Sequence, residues 1–205
     1  MTDPSQPLRE EDVDADPVHQ FATWFEAAKS AGISQPEAAA LATATADGAP
    51  SARMVLVKRA DLDGFVFFTN YESRKGGELA ANPRAALLFH WEPLGRQVRI
   101  EGPIERTTRE QSEAYAHSRG RGSQLSALAS PQSRTIESRQ ELEQRVSELS
   151  ERYAGEDVPL PDTWGGVRLK PETFEFWQHR DNRLHDRLRY RRGSGGEWRI
   201  DRLAP

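Results

Sequence analysis

From Ala39 to Arg106 the chain runs as short β-prone stretches divided by turn signals, and this rhythm restricts the fold more than any other pattern in it. Ala42 to Ala46, the turn Asp47-Gly48 and Arg53 to Lys58 predict a hairpin; Asp61 to Gly64 predicts a second turn, leading into Phe65 to Thr69. Arg84 to Trp91 and Gln97 to Arg106 continue the series. Strands at this spacing predict an antiparallel sheet closed into a barrel. A short helix from about Gly76 to Ala81 interrupts them and stops at Asn82-Pro83.

Helical patterns flank the strands. Asp16 reads as an N-cap and Pro17 as a first helical residue, with Phe21, Trp24, Phe25 and Ala28 forming an apolar stripe and Gly32 past the end. Residues 108 to 117 and 138 to 153 carry helical composition, and the charges of the second suit a solvated face. Between them, Arg119 to Ser133 is too rich in small polar residues to be simple core. A strand pair about Gly193 to Gly196 ends the chain, and no internal repeat is found. The expected class is mainly β with peripheral helices (α+β). Residues 1 to 15 are rich in Pro, Asp and Glu with almost no large apolar residue, which predicts a mobile arm ahead of a single domain from 16 to 205.

Several function classes are disfavoured by composition. A formal net charge of -4 and a pI near 5.8 argue against a general nucleic-acid binder. Without cysteine there is neither a disulfide nor thiolate catalysis, and the five histidines lack His-Glu-x-x-His spacing, so a metal site is not expected. Neither a Gly-x-Ser-x-Gly elbow nor a dinucleotide or Walker-type glycine loop occurs. No stretch has the length of an apolar membrane span and the acidic start is unlike a signal peptide, so a soluble cytoplasmic protein is expected. Basic residues nevertheless concentrate late: residues 174 to 205 hold eight Arg against five acids, leaving local anion binding open.

Three groups of residues could carry chemistry. Arg53 to Lys58, followed by Thr69, Ser73, Arg74 and Lys75, offers cationic and hydroxyl donors for one phosphate; the same residues also suit a strand end with ordinary surface charges. Tyr115, Arg119 and Ser123 could clamp a second anion if the helix persists to Arg119, or Arg119 could simply serve a helix C-terminus. Phe174 to Arg187, read as one extended stretch, places Arg183, His185 and Arg187 on one side and Leu184 with Leu188 on the other, close to Trp177. Such a face suits a planar anionic ligand, or is a solvated basic strand. Gln97 and the pair Gln132-Ser133 suit the edge of a heterocycle.

Together, Arg53-Met-Val-Leu-Val-Lys58, Thr69-Asn-Tyr-Glu-Ser-Arg-Lys75, Arg96-Gln97-Val98, Tyr115 with Arg119 and Ser123, Gln132-Ser133, Trp164-Gly-Gly166, Glu175-Phe-Trp-Gln178, Arg183-Leu-His-Asp-Arg187 and Arg202-Leu-Ala-Pro205 resemble the pyridoxamine 5'-phosphate oxidase family, collinearly from about Asp16. The resemblance implies an FMN-binding split β-barrel, homodimeric with FMN at the interface. It also implies oxidation of pyridoxine or pyridoxamine 5'-phosphate to pyridoxal 5'-phosphate with O2 reduced to H2O2. Carried over by motif, FMN contacts fall on Arg53, Met54, Val55, Leu56, Val57, Lys58, Phe68, Thr69, Arg74, Lys75, Gln97, Gln132, Ser133, Trp177 and Arg187. Substrate contacts fall on Lys58, Tyr115, Arg119, Ser123, Arg183, Leu184 and His185, with Arg183 and His185 as the catalytic pair.

Two departures from the family pattern stand out. Family members often carry a longer N-terminal arm with an Arg and a Tyr that fold over substrate, whereas Arg9 is the sole Arg before the first helix and no Tyr precedes Tyr71. Weaker substrate retention, or a different substrate, is the expectation from that difference. His179 stands where the family usually has Gly, which predicts a different local turn. Two other readings share the motifs: a related flavin oxidase of the phenazine-biosynthetic kind, and a non-catalytic flavin or pyridoxal-phosphate binder.

Overall fold

The computed structural model describes residues 6–205. Helix α1 (Pro17–Ser30) begins as the sequence predicts, with the Asp16 carboxylate accepting from the Val18 N–H and Pro17 in the first turn, where its missing N–H leaves no bond unmade. Strands β1 (Ala38–Ala44) and β2 (Pro50–Asp61) form the first hairpin, with Gly48 at φ 90°, and β3 (Gly64–Asn70) follows a turn where Gly64 sits at φ 127°. Helix α2 (Arg74–Ala81), β4 (Arg84–Trp91) and β5 (Arg96–Arg106) come next. Helices α3 (Arg109–Ser118), α4 (Arg121–Ala129) and α5 (Arg139–Arg152) precede β6 (Trp164–Leu169), β7 (Thr173–Gln178), β8 (Asp186–Arg192) and β9 (Trp198–Arg202). The small polar segment from Arg119 to Ser133 therefore contains a helix, α4, which buries Leu125 and Ala129.

All strand pairs are antiparallel. The order β4-β1-β2-β3-β6-β5 closes on itself through β4–β5, making a six-stranded barrel, and β7-β8-β9 extend the sheet from β5. This extension is possible because β5 divides one edge between two partners: Arg96 to Glu101 pair with β7, and Ile104 to Arg106 with β6. At the division, Lys170 donates its N–H to the Pro103 carbonyl and Glu172 donates to Glu101. Pro103 has no N–H to orphan, and Gly102 has no side chain to obstruct: a Cβ there would lie 1.9 Å from the Lys170 carbonyl oxygen.

The barrel is filled by alternate residues of its strands, as in β4, where Ala85, Leu87, Phe89 and Trp91 are buried and their neighbours are not. Phe21 of α1 closes one end, edge-on to Phe65 and Phe89 at 4.9 Å each, and Trp24 meets Phe176 edge-on at 5.2 Å. No helix among the described residues is long and apolar enough to cross a membrane.

Two expectations differ from the structure. Phe174 to Arg187 is not one strand but the hairpin β7–β8, whose connection holds a 3₁₀ turn at Asp181–Arg183 with Asn182 at φ 57° and Arg183 at φ 62°. The left-handed backbone at Asn182 and Arg183 interrupts the extended chain, and Leu184 stands 70% exposed in the connection, whereas Leu188 is buried in β8. Arg183 and His185 thus lie in the connection, and Trp177 pairs across the ladder with Arg187. The second difference concerns the predicted mobile arm. Residues 1–5 lie outside the described residues, but Gln6 to Ala15 run against the β7–β9 extension. Leu8 is buried, its N–H donates to Asp186, and Arg202 holds both the Leu8 carbonyl and Glu10. Tyr190 donates to the Asp14 carbonyl. Local composition misses these contacts because every partner lies more than 170 residues away in sequence.

The division of β5 yields a direct test. Gly102→Ala forces a Cβ into the Lys170 carbonyl and is expected to destabilise the fold by about 3 kcal/mol or more in urea denaturation. An unchanged midpoint would show that β5 can shift without loss.

Candidate functional site

The first cluster forms where β1, β2 and α2 meet. Alternation along β2 turns Ser51, Arg53 and Val55 toward the covered side and Ala52, Met54 and Leu56 outward. Arg53 donates to the Leu41 carbonyl and to Thr43, Ser51 and Glu78. Glu78 is buried and also accepts from Thr43, Ser51 and Arg74. Burial pushes its carboxyl up, but the hydrogen bonds from Ser51, Thr43, Arg74 and Arg53 win and bring it down to about 2. Glu78 is absent from the sequence reading; its one sequence signal is the spacing of four from Arg74 along α2.

The start of α2 builds the adjoining part. Ser73 is its N-cap, accepting from the Gly76 N–H, and Gly76 allows the Tyr71 carbonyl to approach within 2.1 Å of where a Cβ would stand. The Lys75 ammonium then reaches Thr69 at 3.0 Å, Ser73 at 3.4 Å and the Gln132 side-chain oxygen at 3.0 Å. Thr69, Lys75 and Gln132 come from three separate segments and meet here, so Gln132, expected at the edge of a heterocycle, lies with the cationic group. Burial, and then the charge of Arg53, push the Lys75 ammonium below its ordinary value, only partly offset by Glu78. An anion placed there would oppose that lowering. Ser133, next to Gln132, is exposed and held at φ 72°.

A second cluster is aromatic. Phe68 stacks on Tyr115 with centroids 3.8 Å apart, Trp164 lies parallel to Tyr115, and the Arg119 guanidinium sits 5.3 Å from the Trp164 ring. Arg119 does not share the helix face of Tyr115. It is the C-cap of α3, in extended conformation, and Ser123 lies exposed in the first turn of α4. Trp164 joins these elements and is missing from the predicted contacts. Lys58 lies elsewhere: it is the extra residue of a bulge between Val57 and Arg59, and its ammonium is 3.2 Å from Glu37.

The third cluster lies on the β5-β7-β8 surface. Gln97, Trp177 and Arg187 occupy one row across the three strands. Arg187 donates to the buried Glu175 at 2.9 Å and to the Ala204 carbonyl at 2.8 Å, while Arg99 takes the other Glu175 oxygen. His185 lies 4.7 Å from the Trp177 ring, and its Nδ1 accepts the Arg180 N–H, which assigns the proton of the neutral ring to Nε2. His179 keeps a negative φ, packs against Gly95, and approaches His185 at 5.1 Å. Arg183 and Leu184 are exposed, and Arg183 makes no ion pair or side-chain hydrogen bond among the described residues.

No hydrogen bond or ion pair among the described residues links the Arg53–Lys75 cluster to the Trp177–Arg187 row. A cavity of about 540 Å³ beside Asn70, Gln132, Leu142 and Trp164 touches only the edge of the predicted site. The predicted site residues form separate clusters on one chain.

Glu78 ties the first cluster to pH. Its carboxylate is stabilised on folding, so its contribution is complete above about 4.5 and is lost as pH falls toward about 2. Chemical denaturation across that interval is expected to show a falling midpoint. Glu78→Gln should lower stability by about 2 kcal/mol at neutral pH and flatten the fall; an equally steep fall in the variant would contradict this role.

Residues 25–153 match the family model described as pyridoxamine 5'-phosphate oxidase, and residues 164–205 match the pyridoxine 5'-phosphate oxidase C-terminal dimerisation region. The pyridoxine/pyridoxamine 5'-phosphate oxidase of Rubrobacter xylanophilus is 57% identical over 198 residues, covering 97% of this chain and 91% of the relative. That of Bordetella pertussis is 58% identical over 198 residues, covering 97% and 93%. Among solved structures, PhzG from Burkholderia lata 383, crystallised with tetrahydrophenazine-1-carboxylic acid, superimposes with a TM-score of 0.91 at 33% identity, covering 98% of both chains. A pyridoxamine 5'-phosphate oxidase-related, FMN binding protein from Nostoc punctiforme shares the fold, with a TM-score of 0.71 at 16% identity, covering 90% of this chain and 95% of its own. Matched by both models in order along its length, and more than half identical to these relatives over nearly all of it, the chain belongs to the pyridoxamine 5'-phosphate oxidase family.

Proposed function

We propose that the protein is an FMN-dependent oxidase that converts pyridoxine or pyridoxamine 5'-phosphate to pyridoxal 5'-phosphate, with O2 as acceptor and H2O2 as the second product. The observation that carries this reading is the convergence of Lys75, Thr69 and Gln132 beside Arg53, a cationic and hydroxylic cradle suited to one phosphate. A partly buried ammonium whose charged form is disfavoured, next to a hydroxyl and an amide, fits the phosphate of FMN. Arg53, Arg74, Lys75, Thr69, Gln132 and Ser133 would hold that end. Gln97, Trp177 and Arg187 would hold the ring system, Phe68 would lie beside it, and Met54 to Lys58 would line it mainly through backbone. The chemistry that FMN would supply when held there is a hydride acceptor that O2 can reoxidise.

The protein's own groups bind and orient. Lys58, Tyr115, Arg119 and Ser123 would grip the substrate phosphate, each charge-assisted contact contributing about 1.5 to 3 kcal/mol. His185, with Nδ1 occupied by the Arg180 N–H, presents Nε2–H as a donor to the hydroxyl or amine on the reacting carbon. Arg183, which makes no ion pair among the described residues, would orient that group, and Leu184 would border it. This division makes the pair orienting groups and places no strong base at His185.

The half-sites on one chain are completed by a second copy in a homodimer. Met54 and Leu88, both facing Ala40 across the ladder, are 64% and 36% exposed, and Leu56 lengthens this apolar outer row. A partner that covers it would bring its Trp177 row toward the Arg53–Lys75 cradle.

The likeness to PhzG favours a second reading, an oxidase acting on a phenazine precursor. The retained Lys58, Tyr115, Arg119 and Ser123 favour the phosphorylated vitamer, and competition between the two substrates decides between them. Arg183→Ala tests the proposed chemistry. Alanine keeps the left-handed backbone strain at this position, so only the side chain is removed. Turnover of pyridoxine 5'-phosphate is expected to fall by about a hundredfold or more while the FMN dissociation constant changes less than threefold. Unchanged turnover would remove Arg183 from its role.

A further inference from the structure

Of the four residues proposed to grip the substrate phosphate, Lys58 is the one that holds a carboxylate partner among the described residues. Its bulge position breaks the alternation of β2 and aims the side chain toward the segment entering β1. Glu37 is fastened at that place by its own backbone: Val57 donates its N–H to the Glu37 carbonyl at 3.0 Å, and Ala38 pairs with Leu56 immediately beyond. The side chains then meet at 3.2 Å, each about a quarter exposed, at 27% for Lys58 and 28% for Glu37. The contact therefore joins two groups whose backbones are hydrogen-bonded one residue away.

We propose that Glu37 is a specificity-determining residue that weakens the Lys58 grip on phosphate and so sets how long a phosphorylated ligand is retained. This rests on the reading of Lys58 as a substrate-phosphate ligand. An anion approaching Lys58 meets a paired charge in place of a free cation, and its phosphate must share or displace the carboxylate. The opposing field grows with ligand charge, so Glu37 acts most strongly on a dianionic phosphate ester and hardly at all on the free alcohol or aldehyde. The group stays ionised at neutral pH: its own backbone N–H holds the carboxyl below its usual range, burial opposes this, and Lys58 and then Lys29 add to the lowering. Its effect at neutral pH is a standing countercharge.

Glu37→Gln keeps the shape and the hydrogen bond to Lys58 while removing the charge. In the FMN-loaded protein, titration with pyridoxal 5'-phosphate is expected to give a dissociation constant about three- to tenfold lower than wild type, with pyridoxal unchanged. The KM for pyridoxine 5'-phosphate should fall with it, without a rise in kcat. Glu37→Asp, which withdraws the carboxylate by one methylene, should move binding in the same direction by less, and serves if the glutamine variant folds poorly. Adding Lys58→Met should abolish the effect of Glu37→Gln, since the countercharge then has no cation to offset.

Equal or weaker pyridoxal 5'-phosphate binding in folded Glu37→Gln would overturn the inference and make Glu37 a mere support for Lys58. If wild-type protein binds pyridoxal as tightly as its phosphate, the failure lies with the assignment of Lys58 to a phosphate, and the inference falls with it.

Discussion

Strand β5 cannot be hydrogen-bonded along one whole edge to a single neighbour, and the rest of the molecule follows from how it resolves this. Half of that edge pairs with β6 and closes the barrel; the other half pairs with β7 and starts the three-stranded extension. The change of partner takes place at Gly102 and Pro103, where the Lys170 carbonyl passes too close for any side chain and no N–H is left orphaned. Without this division the barrel would either stay open or lose the surface that aligns Gln97, Trp177 and Arg187. The same extension also receives Leu8 and Glu10, so the segment ahead of α1 is secured by the strands that carry the late basic residues.

A second theme is that cations proposed to hold ligands are held beforehand by carboxylates. Glu78 gathers Arg53 and Arg74, Glu175 fixes Arg187, and Glu37 meets Lys58. The consequences differ with burial. Glu78 and Glu175 are buried and accept from several donors, so they fix guanidinium groups that keep other N–H bonds to offer. Glu37 is half-open and meets a single ammonium, so it competes with an incoming anion. Arg183 has no such partner among the described residues and sits in a left-handed turn.

Much of the fold could be read from the chain because its signals are local. The N-cap at Asp16, the Asp47-Gly48 turn and the strand from Arg84 to Trp91 each depend on residues close in sequence and form where expected, although the hairpin strands begin earlier, at Ala38 and Pro50, than the expected Ala42 and Arg53. Phe174 to Arg187 was less legible, since a period of two describes either one long strand or two strands with a bend, and the left-handed turn at Asn182 and Arg183 that separates them carries no glycine to mark it. Composition also marked residues 1 to 15 as an arm without revealing Arg202, Asp186 and Tyr190 as anchors for its described part. In the site, motif spacing identified Lys75, Thr69 and Gln132, which do meet. It missed Glu78, and it included Glu175 and Trp164 in its motifs without giving them a role, because their partners are residues that the fold brings to them.

The central claim is that these half-sites, loaded with FMN, oxidise a phosphorylated B6 vitamer. The most direct measurement mixes the FMN-loaded protein with pyridoxine 5'-phosphate without oxygen and follows the visible flavin absorption, then admits air. The account predicts bleaching under anaerobic conditions and recovery in air, with pyridoxal 5'-phosphate and H2O2 formed in equal amounts. An absorption band that persists with saturating pyridoxine 5'-phosphate present would contradict it.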